Sequence, residues 1–247
     1  MGKVIVVASG KGGTGKTSFC AGVSSVLAAC GNNVLVVDTD YGNRNLDIVL
    51  GMTNCLLFSF ADVILGRCDA SSADVEHPDI KGLYMLTAPA IKLPKGVTRE
   101  GVRKLMERAQ SSFQYVVVDC PAGVTDYIGM FAACADLCVV VSTPDSASLR
   151  GGELMASALY RWGVPEILLT VNRVRPRLVQ KKLAYNIDDA MDMIGVPLLG
   201  VVPEDEAVIA SSNIGCPLVR AKRSKAMNAY RNIAKRILGQ DVPLMKI

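Results

Sequence analysis

Apolar residues gather into short continuous runs at 3–8, 33–38, 83–87, 115–119, 137–142, 166–172 and 198–202. Because most runs are unbroken rather than alternating, they fit strands buried on both faces. Stretches with helical periodicity lie between them, at 16–30, 98–109, 146–162, 178–194 and 224–238. Strand alternating with helix predicts an α/β fold in three layers: a mainly parallel sheet of about seven or eight strands, with helices on both faces. No repeat, low-complexity tract or long linker breaks the pattern, so residues 1–247 are read as a single domain. Residues 66–82 and 88–97, which carry Pro78, Pro89 and Pro94, are the least regular and are read as surface loops.

Composition narrows the picture. Half of the residues are hydrophobic but only 5% are aromatic, which favours a core of Val, Ile, Leu and Ala. Eight cysteines stand singly, most of them in apolar segments, and read as reduced core residues. Cys134 and Cys138 are the closest pair, and the absence of a second pair argues against a metal site. The apolar run 4–8 is too short for a signal core or a membrane span, and nothing later approaches 18 consecutive apolar residues. Val6 stands where a myristoylation site after Met1-Gly2 would need Ser or Thr. The expectation is a cytoplasmic protein. A net charge of +4 does not by itself imply nucleic acid. The basic stretches Arg173, Arg175, Arg177, Lys181, Lys182 and Lys222, Arg223, Lys225 read as solvated faces. With His77 as the only histidine, a His-based triad or His-rich metal site is excluded.

The chemistry is concentrated at Gly10–Thr17, which matches G-x-x-x-x-G-K-[ST] at every fixed position, with a strand leading in and a helix leading out. Glycines let backbone N–H groups converge on phosphate oxygens, and the helix N-terminus adds a favourable dipole. Lys16 would bridge the β- and γ-phosphates, and the Thr17 hydroxyl would ligate Mg²⁺. Lys11 places a second cation beside the same anion site. The second strand ends in Asp38-Thr39-Asp40 and another in Asp119, so three acids fall at the carboxyl ends of strands, where ligands bind in such sheets. Asp119 is the expected Walker B acid, and Asp119 and Asp38 together with Thr17 are the residues expected at Mg²⁺. Without a catalytic histidine, the water-positioning role falls to Asp40. The chain is thus read as one P-loop nucleotide hydrolase domain that uses Mg²⁺.

The loop Lys11–Thr17, followed by Asp38-Thr39-Asp40-Tyr-Gly-Asn-Arg44-Asn45-Leu-Asp47, resembles the MinD/ParA family of deviant Walker ATPases. The segment 38–51 looks most like the MinD branch. Asp119–Gly123, Asn172-Arg173, Pro203-Glu204-Asp205 and the segment 229–239 agree, so the resemblance covers essentially the whole chain. It implies a homodimer with ATP sandwiched between subunits, in which Lys11 reaches the partner's phosphates. Gly12, Gly13, Thr14, Gly15, Lys16, Thr17 and Ser18 would hold the nucleotide phosphates. Asn172 would read adenine, with Arg173 and Pro203, Glu204 and Asp205 nearby. Residues 38–47 and 119–125 would act as switches. The implied function is spatial positioning, such as division-site selection, through a protein partner. DNA-dependent partition, flagellar placement and metal-cluster transport are alternatives within the same group. The family's basic membrane helix has one candidate here, 224–238, whose apolar stripe reads as core-facing. Membrane association is therefore expected only through a partner.

Overall fold

The interior strands are almost wholly Val, Ile and Leu, whose branched side chains suit a pleated surface covered on both sides. In the computed structural model, which describes residues 1–221 and 223–245, they form one sheet in the order β3-β4-β2-β5-β1-β6-β7-β8. The strands are β1 (Lys3–Ser9), β2 (Val34–Asp38), β3 (Val75–Glu76), β4 (Leu83–Leu86), β5 (Tyr115–Ala122), β6 (Leu137–Ser142), β7 (Ile167–Val174) and β8 (Leu198–Pro203). All pair in parallel except β3, which runs antiparallel to β4 at the edge. The helices are α1 (Lys16–Ala29), α2 (Leu46–Leu50), α3 (Phe60–Ile64), α4 (Ala70–Ala73), α5 (Arg99–Ser112), α6 (Asp126–Ala132), α7 (Ser146–Arg161), α8 (Pro176–Gln180), α9 (Ile187–Ile194), α10 (Glu206–Asn213) and α11 (Lys225–Ile237).

Strand parity sorts the core into two layers. Val4, Val6 and Ala8 pack beneath α5, α6, α7 and α9. Ile5 and Val7 pack beneath α1, α2 and α11. Val36 and Val117 share the α1 side, so Asp38 and Asp119, two residues further along β2 and β5, point the same way. They are direct cross-strand neighbours. The fold thus brings two carboxylates together beneath the N-terminus of α1.

Several expectations need correction. The eight strands fall within the expected seven or eight, but the eighth, a two-residue edge strand joined to β4, is too short to leave a periodic signal and was not located. The expected helix 178–194 is two helices, broken around Lys182, which adopts a left-handed backbone (φ 55°). The region 66–82 is not merely surface loop: it contains α4 and β3, and Ala73, His77 and Ile80 are buried. Ala88, in the other irregular stretch, is buried too. Cys30 and Cys55 are exposed, whereas Cys20, Cys120 and Cys138 are buried and Cys134 is half-buried. Lys222 of the second basic stretch lies outside the described residues. The others named from both stretches are exposed.

Helix α11 buries Ala226, Met227, Tyr230, Ile233, Ala234 and Ile237 against β8 and α1. Tyr230 meets Phe19 edge-on at 6.1 Å between ring centroids. A Cβ on Gly22 would lie 2.4 Å from the Tyr230 ring, so the close approach of α1 and α11 requires glycine there. Burying each of these large side chains contributes about 1.5–3 kcal/mol. The apolar stripe is therefore spent on the core and is not free to lie on a membrane. No helix among the described residues is long and apolar enough to cross one.

His77 staples the β3–β4 corner to α2. Its Nε2–H donates to the Leu50 carbonyl (2.9 Å), and Nδ1 accepts from the backbone N–H groups of Asp79 (3.0 Å) and Ile80 (3.2 Å). Burial lowers its pKa, so the folded chain keeps the imidazole neutral while an unfolded histidine protonates near about 6.5. Stability is then lost as pH falls below that value, because the unfolded state binds more protons. His77→Asn keeps an acceptor for the two N–H groups but cannot titrate. We expect it to cost about 1–3 kcal/mol at pH 7.5 and to flatten the decline between pH 7 and 5. Urea unfolding of both proteins at each pH checks this.

Candidate nucleotide and magnesium site

The loop after β1 is shaped by close approaches that side chains would block. A Cβ on Gly10 would fall 2.0 Å from the Gly151 carbonyl oxygen on α7. Gly15 has φ 92°, and its Cβ would meet Asn172 Nδ2 at 2.2 Å. That amide donates to the Thr14 carbonyl (2.7 Å), so Asn172 on β7 buttresses the loop from behind. Lys16 is buried and its ammonium donates to Ser9 Oγ (2.9 Å), while Ser9 Oγ donates to the Lys11 carbonyl (2.7 Å). Helix α1 follows Gly15 with no side-chain cap and no acidic residue in its first turn. Every other helix of seven or more residues has a side-chain cap, from Thr98, Thr125, Asp145, Asn186, Asp205 and Ser224. The unpaired N–H groups of α1 and the lysine beside them form a cradle suited to phosphate.

Beneath this cradle lie Asp38 and Asp119, both fully buried. Burial, reinforced by Asp119, pushes Asp38 up to about 7. Burial likewise holds Asp119 at about 6, opposed by the Thr17 hydroxyl and the Lys16 ammonium. Two like charges directly opposite one another on neighbouring strands are destabilising unless a cation offsets them. Oδ1 of Asp119 is also buried without a hydrogen-bond partner. An orphaned carboxylate oxygen beside a threonine hydroxyl fits a hard dication such as Mg²⁺. Asp38 differs: Oδ1 accepts from Asp40 N–H (2.9 Å) and Oδ2 from Leu46 N–H (3.3 Å). It therefore tethers the 40–46 loop, a role its spacing alone does not reveal. No cluster of three His, Cys, Asp or Glu side chains suited to a metal exists among the described residues.

A cleft of about 720 Å³ opens on the cradle and is lined by Gly12, Gly13, Gly15, Lys16, Thr17 and Ser18 on one side and by Asp40 and Arg173 on others. Asp40 is half-buried and accepts from Asn43 Nδ2 (3.1 Å). Arg173 takes a left-handed backbone (φ 55°) at the end of β7. Lys11 points away from the cleft floor and pairs with Asp145 Oδ1 at 3.3 Å, each side chain about half exposed. A second cleft joins Lys11 and Asp145 to Arg173 and Glu204. Pro203 ends β8, and Glu204 pairs with Arg175. The carboxylate of Asp205 is committed elsewhere. It accepts from Ala207 N–H (2.9 Å), Ser224 Oγ–H (2.8 Å) and Ala226 N–H (3.1 Å), so it joins α10 to α11.

Ser9, Asp145 and Gly151 belong to the site but have no signature of their own. Asp145 was recoverable only as a helix cap, an acid three residues before Ser148. Its pairing with Lys11 spans 134 positions of sequence.

Comparison with known proteins agrees with this geometry. Residues 5–218 match the family described as the CobQ/CobB/MinD/ParA nucleotide binding domain. The chain is 37% identical over 246 residues to the septum site-determining protein MinD of Bacillus subtilis (strain 168), covering 99% of this chain and 92% of that one. It superposes on the MinC:MinD cell division protein complex of Aquifex aeolicus with a TM-score of 0.91 and 30% identity, covering 99% of this chain and 98% of that one. It superposes on the MinD of Pyrococcus horikoshii OT3 complexed with Mg-ADP with a TM-score of 0.85 and 26% identity, covering 96% of each chain.

Proposed function

The chain belongs to the CobQ/CobB/MinD/ParA nucleotide-binding family, and from that premise we propose that residues 1–247 work as one unit: a MinD-like switch that dimerises around ATP and hydrolyses it to control division-site selection. That it is a MinD-type ATPase using ATP/ADP and Mg²⁺ follows from the family and the relatives above. The observation that carries the switch reading is the division of labour between two lysines of one loop. Lys16 is buried in its own cradle, whereas Lys11 stands outside on a solvent-exposed ion pair.

Lys16 and the uncapped N–H groups of α1 would bind the phosphates. Thr17 and Asp119 would hold Mg²⁺, with Asp38 behind them bracing the 40–46 loop. Mg²⁺ offsets the charge that builds on the phosphate oxygens during transfer. Asp40 would orient the attacking water, and Arg173 with the Pro203–Glu204 turn would border the base. Lys11 would leave Asp145 and reach the phosphates of a second subunit. A surface ion pair of this kind contributes at most about 1 kcal/mol, so its release is a small cost.

A protein partner of the cell-division type is supported by the likeness to MinD in the MinC:MinD complex. Because α11 is packed into the core, that helix does not itself supply a membrane contact. If dimerisation precedes hydrolysis, phosphate release per chain should rise with protein concentration and then level off. Phosphate release per chain that stays constant across a 100-fold dilution would refute the switch.

A further inference from the structure

The peptide joining Thr39 to Asp40 is held from both sides. Its N–H, on Asp40, donates to Asp38 Oδ1 (2.9 Å). Its carbonyl, on Thr39, accepts from the backbone N–H of Tyr41 (3.0 Å) and from the Tyr127 hydroxyl (2.9 Å). Thr39 itself is fully buried and fastened to β5, because its N–H (2.9 Å) and Oγ1–H (2.8 Å) both donate to the Asp119 carbonyl. A peptide plane held at both ends resists rotation, which places the Cα of Asp40 and narrows the directions open to its side chain.

Of these contacts, only the Tyr127 hydroxyl comes from α6. That helix starts immediately after residues 119–125, which run from Asp119 through Gly123 to the cap Thr125. Gly123 in turn donates its N–H to the Ser9 carbonyl (2.9 Å), at the base of the phosphate loop. The ring of Tyr127 is fixed edge-on to Tyr41 (5.2 Å) and Phe131 (5.5 Å between centroids). Burial raises the phenol above its ordinary range, so it stays protonated and remains a donor.

We propose that Tyr127 is a positioning residue for hydrolysis: its hydroxyl orients the Thr39–Asp40 peptide and so couples the Asp40 carboxylate to the segment that follows Asp119. This rests on Asp40 as the water-orienting group. A shift of 119–125 moves α6 and, through the Tyr127 hydroxyl in addition to the Thr39 bonds to the Asp119 carbonyl, the peptide that carries Asp40. The two segments therefore move together.

Tyr127→Phe removes only the hydroxyl and leaves the ring packing intact. Steady-state hydrolysis, measured at protein concentrations on the plateau, should show kcat lowered about 5- to 10-fold, the worth of one hydrogen bond. KM and ADP affinity should stay within about twofold of the parent, and the melting temperature should fall by no more than about 2–4 °C. An unchanged kcat would overturn the proposal. So would a loss of kcat matched by equal losses in KM, ADP affinity and melting temperature, since that pattern marks a merely structural role. Asp40→Asn, run in parallel, separates this proposal from its premise. Wild-type turnover by Asp40→Asn would remove the premise and the proposal with it. An inactive Asp40→Asn beside a fully active Tyr127→Phe would overturn the role of Tyr127 alone.

Discussion

Lys16→Ala is expected to abolish nucleotide binding while leaving the fold intact. The ammonium is buried, held by Ser9 Oγ at 2.9 Å, and sits where the loop N–H groups and α1 converge. A charge-assisted contact to phosphate in so dry a site is worth more than a surface pair. Removing it also leaves Asp119 without the cation that opposes its raised pKa. Binding of both ATP and ADP should weaken by roughly 10²- to 10³-fold or more, corresponding to about 3–4 kcal/mol. Titration with a fluorescent ADP analogue checks this, with circular dichroism to confirm folding. Affinity within tenfold of the parent would remove Lys16 from the phosphate site.

Lys11→Ala should behave differently. The Lys11 ammonium pairs with the exposed Asp145 carboxylate at 3.3 Å, so its loss should change stability by less than about 1 kcal/mol. Nucleotide affinity of the isolated subunit should be preserved within a few fold. ATP-dependent dimerisation and hydrolysis should be lost, hydrolysis by about 10³-fold or more if Lys11 acts in trans as an arginine finger does. Phosphate release and ADP binding measured on the same preparation separate the two effects. If Lys11→Ala lost ADP binding and hydrolysis together, both lysines would be serving one subunit.

The phosphate loop was legible in the sequence because phosphate recognition uses a contiguous string of residues, whereas a separate job for Lys11 came only from the resemblance to the family. Gly10–Thr17 needs specific backbone angles and donors in fixed order, so the chemistry leaves its mark locally. Asp38 and Asp119 were legible for a related reason: each ends an apolar strand, and parallel strands in one sheet bring such ends together. What stayed hidden depends on pairing between distant parts of the chain. Ser9 orients Lys16 but reads as an ordinary strand terminus. Asn172 was expected to face adenine, yet its amide is engaged with the Thr14 carbonyl, a contact spanning 158 positions. Asp205 was expected near the base, and its spacing gives no hint that it joins two helices. Short elements were lost as well. A five-residue helix such as α2 spans too few turns to show a period, and β3 has only two residues. The break between α8 and α9 was masked because apolar residues continue in helical spacing on both sides of Lys182. His77, placed in an irregular loop by its neighbour Pro78, is buried because three backbone groups converge on its ring.

Everything assigned to Lys11 depends on a second subunit arriving when ATP is bound. Light scattering coupled to size exclusion, with Mg-ATP in one run and Mg-ADP in the other, tests this most directly. The monomer mass with Mg-ADP and twice that mass with Mg-ATP, collapsing to the monomer in Lys11→Ala, is the predicted result. The same mass in both nucleotides would contradict the switch.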